Sequence, residues 1–249
     1  MKKIIKYLFL LTGGSFILAS CNDFLDREPL DSVTPDNFFF TENDLAAYAV
    51  KHYNFTTHEG FNAGIWKNDN ATDNQAATDY DKKWIPGQWK VPEAYDNPAS
   101  NDPWYFSTIR EANYFLETVV PRFEKGEIEG SETNIKHYIG EMYFLRAKNY
   151  LSKLETFGDF PIIKNTLPDE SESLIQASKR APRYKVAHFI LEDLDQAISL
   201  LTNNISGGKN RITKNAALLL KSRAALFEAS WLTYHKGTAL VPGGPGWPG

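Results

Sequence analysis

The stretch from Gly140 to Pro161, GEMYFLRAKNYLSKLETFGDFP, constrains this chain more than any other. Apolar side chains at Ile139, Met142, Tyr143, Tyr150, Leu154 and Phe157 recur at three- and four-residue steps, which puts one stripe along a helix. Small Ala147 leaves room for a second helix to approach. Gly158 tolerates the left-handed conformation that ends a helix and Pro161 blocks a restart, so the helix is expected to stop near Phe157. A long amphipathic helix does not hold itself in water. Its apolar face needs partner helices on either side.

Three further segments offer them. Trp104, Ile109, Ala112, Leu116 and Val120 mark a helix from about Pro103, expected to close at Pro121. After a polar loop through Gly126 and Gly130, the central helix begins near Asn134, and Phe160 to Pro182 reads as a connector. Ala187, Ile190, Leu191, Leu194, Ile198 and Leu201 then form a stripe ending before Asn203. Thr213 is placed to cap a fourth helix, with Leu220, Ala224, Phe227 and Trp231 on its stripe. The order is helix pair, connector, helix pair.

The two pairs read as degenerate copies. Arg146-Ala147 aligns with Arg223-Ala224 at a shift of 77, Tyr150 then lands on Phe227, and Ala112 to Leu116 matches Ala197 to Leu201. Helix starts within a pair lie about 30 residues apart, close to the tetratricopeptide unit of about 34, so stacked pairs form a short solenoid. The Trp-Leu-Gly-Tyr pattern of that repeat is absent. Upstream, Thr41 to Tyr53 reads as a shorter helix with Thr41 as cap and Asp44 three residues on. Phe38, Phe39 and Phe40 are expected to dock the segment before it, a tether over 21–40, onto the core.

Between these lies an irregular stretch, Thr56 to Asp102, with Gly60, Gly64, Pro86, Gly87, Pro92 and Pro98 among many Asn and Asp residues. A loop of that length is more often functional than filler. Trp66, Trp84 and Trp89 fall in it and Trp104 just after, joined by Tyr80 and Tyr95 and flanked by amide and carboxylate side chains. Indole faces ringed by hydrogen-bonding groups suit sugar rings, whose C–H face stacks while the hydroxyls are bonded. We take Trp66, Tyr80, Trp84 and Trp89 as candidate ligand-stacking residues; pinning the loop to the helical body explains the same pattern, and for Trp104, at a helix start, it is the better reading.

Residues 1–20 stand apart. Lys2, Lys3 and Lys6 precede an apolar run from Tyr7 to Leu18 and a small-residue exit, the form of a secretory signal. The run is shorter than the roughly 20 residues a bilayer span needs. Leu18-Ala19-Ser20-Cys21 resembles a bacterial lipobox, in which the cysteine is lipidated, and Cys21 is the only cysteine. Several acyl chains anchor a soluble domain without a spanning helix. Loss of the three signal lysines takes the formal charge from −4 to about −7. That balance argues against nucleic acid and favours a neutral ligand or a protein partner.

Catalytic patterns are weak. Asp69, Asp73, Asp79 and Asp81 cluster in the loop, where Asp is more often a turn former than half of a glycosidase pair. His52, His58, His137, His188 and His235 lack metal-ligand spacing, and neither a Gly-x-Ser-x-Gly elbow nor a phosphate loop occurs, so no metal or cofactor is expected. Arg146 lies among apolar neighbours and is expected to bridge to a carboxylate such as Glu141 or Asp193 rather than to clamp an anion. Arg223 is expected to repeat it.

The run GEMYFLRAKNYLSKLETFGDFPII resembles the signature helix of the SusD/RagB family, with its Gly-Glu and Arg-Ala pattern and aromatic-Gly-Asp-x-Pro turn. The Phe-Leu-Asp run after Cys21 and the Phe-Phe-Thr-Glu-x-Asp run at Phe39 are similar to the openings of such proteins. The resemblance spans Phe24 to about Tyr234. It implies a mainly α-helical fold of tetratricopeptide-like pairs bearing an aromatic-rich loop layer, and loop tryptophans and tyrosines that stack on glycans. It also implies a lipoprotein of the outer membrane, exposed at the cell surface, that captures nutrients without catalysis beside a SusC-like TonB-dependent transporter. The organisation expected is a signal at 1–20 and a SusD-like N-terminal domain over 21–249, with its loop layer at 56–102 and two helix pairs over 103–235. The VPGGPGWPG ending reads as a flexible tail, 236–249, and against the family as a truncation. Two rival functions are a lipid-anchored scaffold binding only protein and a glycoside hydrolase.

Overall fold

The computed structural model describes residues 38–53, 55, 104–205 and 210–247. Among them are six helices: α1 Glu42–Lys51, α2 Ser107–Glu124, α3 Glu132–Phe157, α4 Ser171–Ala177, α5 Arg183–Leu200 and α6 Lys214–Tyr234. Extended pairing among the described residues is limited to isolated bridges, Thr41 with Glu129 and Phe160 with Ala181.

Both predicted caps form. Thr41 Oγ1 accepts from the Asp44 N–H at 3.2 Å while the Asp44 carboxylate accepts from the Thr41 N–H at 3.0 Å, a reciprocal capping box. At α6, Thr213 Oγ1 accepts from the Ala216 N–H. Phe39 is the anchor of its triplet. It is fully buried, at φ 71, against Tyr48 and Phe115 with ring centroids 5.0 and 5.3 Å away. Phe40 instead stays partly exposed beneath the Arg122 guanidinium.

α2 does not close at Pro121 as its sequence suggests; it runs to Glu124. Proline lacks an N–H and crowds the carbonyl four residues back, which the last turn of α2 accommodates, and the end is made beyond it: Gly126, at φ 72, donates to Phe123 O and Glu127 donates to Arg122 O, a Schellman closure. α3 ends at Phe157 with Gly158 at φ 72, as expected. It starts at Glu132, because the Glu42 carboxylate of α1 takes the Ser131 N–H at 2.7 Å and bonds Asn134, placing negative charge at the helix N-terminus.

α3 spans about 39 Å and packs against α1, α2 and α5 and, more lightly, against α6. These neighbours bury more than one stripe: Ile135, Tyr138, Phe144, Leu145 and Leu151 are buried along with Met142, Tyr150 and Leu154, whereas Tyr143 and Phe157 are only half-buried. α5 lies between α3 and α6, and its buried face includes Val186, Phe189 and Ala197 in addition to Ile190 and Leu194. The connector carries the short, surface-lying α4, whose residues include none that are buried. Tyr150 pins that connector: its hydroxyl accepts from the Ile163 N–H at 2.8 Å and donates to Ile163 O at 3.2 Å.

Burial pushes the Tyr150 phenol up to about 12. Tyr48 and Tyr53 are raised as well, by burial first and then by the charges of Glu111 and Glu141 respectively. The unfolded chain ionises these phenols near pH 10 while the folded one holds their protons. Stability is therefore expected to be unaffected by them below about pH 10 and to fall above it, by up to about 1.4 kcal/mol per pH unit for each tyrosine. Denaturant midpoints measured against pH alongside phenolate absorbance check this. Full tyrosine ionisation near pH 10 with an unchanged helical spectrum would contradict it.

Candidate functional site

Trp104 is the first described residue after the aromatic stretch. Beside it the start of α2, the connector and α4 enclose a cleft of about 370 Å³, towards the lower end of the roughly 300–1,000 Å³ of small-molecule sites. Its walls are mainly apolar, with Phe106, Ile109, Ile163, Leu167 and Leu174 facing in. The Trp104 ring is engaged by the protein, 4.1 Å from Phe157 and under the Arg180 guanidinium at 4.9 Å, so it packs as expected. Polar lining comes from Arg110, Asn113, Asn165 and Ser178; among the described lining there is no carboxylate.

Asn113 is committed below the cleft. Its amide donates to the backbone carbonyls of Ile163 and Asn165 at 2.9 and 3.2 Å and accepts from Arg146 Nη1 at 2.9 Å. Arg146 also donates from Nε and Nη2 to the two oxygens of Asp193, both at 2.7 Å. This is the carboxylate bridge expected for Arg146, with Asp193 as the partner. Burial pushes the Asp193 carboxyl above its ordinary value, and the Arg146 hydrogen bonds and charge oppose that shift. The cleft floor is therefore a rigid cross-brace of α2, α3, α5 and the connector.

The other half of the signature is a second brace. Glu141 is fully buried, and its Oε1 accepts from the Tyr53 hydroxyl at 2.7 Å, Arg211 Nε at 2.9 Å and His137 at 3.1 Å. Arg211 Nη2 bonds the other oxygen, and Nη1 donates to Ala46 O. Because His137 Nδ1 accepts from the Thr202 N–H, its proton sits on Nε2, facing Glu141. At Gly140 an added Cβ would lie 3.0 Å from Leu201 Cγ and 3.1 Å from Leu200 Cβ, so this glycine lets α3 meet the end of α5. Ala147 is buried without exposure. Every position of the Gly-Glu and Arg-Ala pattern thus holds helices together.

Arg223 does not repeat Arg146. Its side chain is 73% exposed and reaches Glu155 of α3 only at 4.0 Å. The buried arginine of the second pair is Arg183, which donates to Glu228 at 2.8 Å and to Leu154 O at 3.2 Å, with Trp231 4.1 Å below its guanidinium. Sequence reading passed over Arg183, Glu228 and Arg211. A charged residue within an apolar stripe, such as Glu228 between Ala224 and Trp231, was the available signal. Trp66, Tyr80, Trp84 and Trp89, and the candidate lipidation residue Cys21, lie outside the described residues.

The family of SusD-like proteins described as starch-binding and associating with the outer membrane matches residues 23–226. This chain belongs to that family. SusD-like protein P38 of Formosa agariphila is 27% identical over 203 residues, 80% of this chain and 37% of that protein. SusD-like protein P25 of the same organism is 23% identical over 243 residues, 93% of this chain and 44% of that one. A crystal structure of a SusD-like protein from Bacteroides fragilis superposes with a TM-score of 0.59 at 26% identity, over 82% of this chain and 38% of that one. The mainly helical, tetratricopeptide-like fold expected of the family is present. The chain spans less than half the length of these relatives.

Proposed function

We propose that the protein captures a neutral oligosaccharide without cleaving it and passes it to a SusC-like TonB-dependent transporter, held at the outer membrane by lipid on Cys21. Family membership carries this reading. The physical features agree with it: an aromatic-rich stretch runs directly into Trp104, at the edge of an apolar cleft whose floor is braced. Sugar rings stack on the loop aromatics Trp66, Tyr80, Trp84 and Trp89. Arg110 and Asn165, exposed at the rim, supply hydroxyl partners.

Cleavage is disfavoured by the cleft's chemistry. Glycosidic hydrolysis takes two carboxyl groups flanking the bond, and the deeply buried acids Glu141, Asp193 and Glu228 are each bonded to an arginine. Calorimetry of the mature chain against a panel of neutral oligosaccharides, with a reducing-end assay on the same mixtures, tests the reading. Saturable heat without new reducing ends is expected; release of sugar overturns it. Co-purification of the cognate barrel with the lipidated protein, lost when Cys21→Ser prevents anchoring, is the expected result for delivery.

A further inference from the structure

A stack of aromatic rings ends at the cleft beside α2. Phe160, fully buried, is its centre, with Phe106 5.0 Å away at 15°, Trp104 5.5 Å away at 23° and Phe157 5.6 Å away at 16°. All three rings run nearly parallel to it. Among the described residues Phe106 has Phe160 as its one ring neighbour, and it is half-buried and lines the cleft. A further flat ring laid on Phe106 continues the stack, in the offset arrangement that aromatic pairs prefer.

Hydrogen-bonding partners in the cleft are few. The Asn113 amide is taken by the connector and Arg146, and Ser178 donates to Ile175 O at 2.7 Å. Asn165 and Arg110 remain, and Arg110 makes no ion pair among the described residues. A sugar ring sunk here would leave most of its hydroxyls without partners, whereas an aromatic ring has none to satisfy. Arg110 stands one helical turn on from Phe106, so the two Cβ atoms lie about 5–6 Å apart on one side of α2. A cation in the first turn also opposes the helix dipole, and no acidic residue of that turn offsets it. An oxygen bearing negative charge, or the negative end of a carbonyl, relieves that arrangement.

We propose that this cleft binds an aromatic acyl group, a flat ring conjugated to a carbonyl, with the ring on Phe106 and the carbonyl oxygen turned to Arg110 and Asn165. Leu167 and Leu174 supply apolar wall. Two sources share this chemistry: an aromatic ester carried on a glycan, and a free aromatic acid. The inference goes beyond the capture of a neutral oligosaccharide and stands without it.

The test is calorimetry of the mature chain, with Cys21→Ser, against sodium cinnamate, methyl cinnamate and the saturated-ring comparator 3-cyclohexylpropanoate, with unsubstituted neutral oligosaccharides titrated alongside. At least one cinnamate probe should bind saturably and at least tenfold more tightly than the comparator. Tighter binding of the methyl ester assigns the group to a glycan-borne ester, and tighter binding of the anion to a free acid. Arg110→Met should weaken the anion at least fivefold and the neutral ester less, since the charged acceptor makes the stronger hydrogen bond. Leu174→Asp should abolish binding of both with the helical spectrum unchanged, because Leu174 is 43% exposed on a helix without buried residues. No saturable heat from either cinnamate at about 5 mM, where even a millimolar complex is mostly formed, overturns the proposal. So does equal affinity for the cyclohexyl comparator, or undiminished binding in both folded variants. Unsubstituted sugars that bind while the cinnamates do not would overturn this inference and leave glycan capture standing.

Discussion

Arg146→Ala is expected to cost about 3–5 kcal/mol of folding stability, the range for removing one partner of a buried ion pair. The substitution leaves Asp193, 4% exposed at its side chain, without the two 2.7 Å hydrogen bonds it now accepts. It also strips the Asn113 carbonyl oxygen of its donor. Burial already pushes the Asp193 carboxyl above its ordinary value, and loss of the Arg146 hydrogen bonds and charge should push it further in the same direction. Denaturant unfolding measures the loss, expected as a midpoint lowered by at least one third of its original value. Arg146→Lys should rescue little, because an ammonium cannot reproduce the planar fork. The double change Arg146→Met with Asp193→Leu should recover most of the stability, since an apolar pair leaves no charge stranded. A loss under about 1 kcal/mol in Arg146→Ala would mean that the brace is solvated.

Glu141→Ala should fall in the same range of about 3–5 kcal/mol, but with a different local signature. Glu141 collects Tyr53 from the end of α1, His137 from its own helix and Arg211 from the α5–α6 connection. Without it three donors lose their acceptor at once, and the Arg211 charge, 14% exposed, is left unpaired. Amide exchange should accelerate in α1 and around residues 210–213 well before α2 or α5. Glu141→Gln keeps an oxygen for Tyr53 and His137 while removing the charge, and should lose about half as much. Equal behaviour of Gln and Ala would show that the charge on Glu141, rather than its acceptor geometry, holds the junction.

These two braces show what was legible in the sequence. Helix ends were readable because the physics there is local: Thr41 with Asp44, Thr213 with Ala216, and Gly158 before Pro161 each act within a few residues. The Arg146 bridge was readable because a cation among apolar neighbours has few stable arrangements, and Asp193 sat on the facing helix. Readings that required knowing the neighbours went astray. Pro121 looked like a stop, yet the Schellman turn five residues later ends α2. Arg223 looked like a copy of Arg146, yet of that Arg-Ala pair only the alanine is buried in both helices. Glu141 pairs with Arg211, 70 positions away across a connection, which no helical periodicity reports.

The candidate site divides along the same line. Its braced floor rests on Arg146, whose partners are fixed by packing, while Gly140, Glu141 and Ala147 hold other helix contacts of the same scaffold. Ligand choice is assigned in this account to the 56–102 stretch, where stacking and packing aromatics have the same composition. Sequence alone separates neither those two roles nor one sugar from another.

The most direct measurement is a tryptophan-fluorescence titration of the mature chain with neutral oligosaccharides, repeated for Trp84→Ala and Trp89→Ala with circular dichroism as the folding control. The account predicts a saturable shift for the parent chain and at least a tenfold weaker apparent affinity in one or both variants, with the helical signal unchanged. Undiminished binding in both folded variants, or no binding of any sugar by the parent, would contradict capture by the loop aromatics.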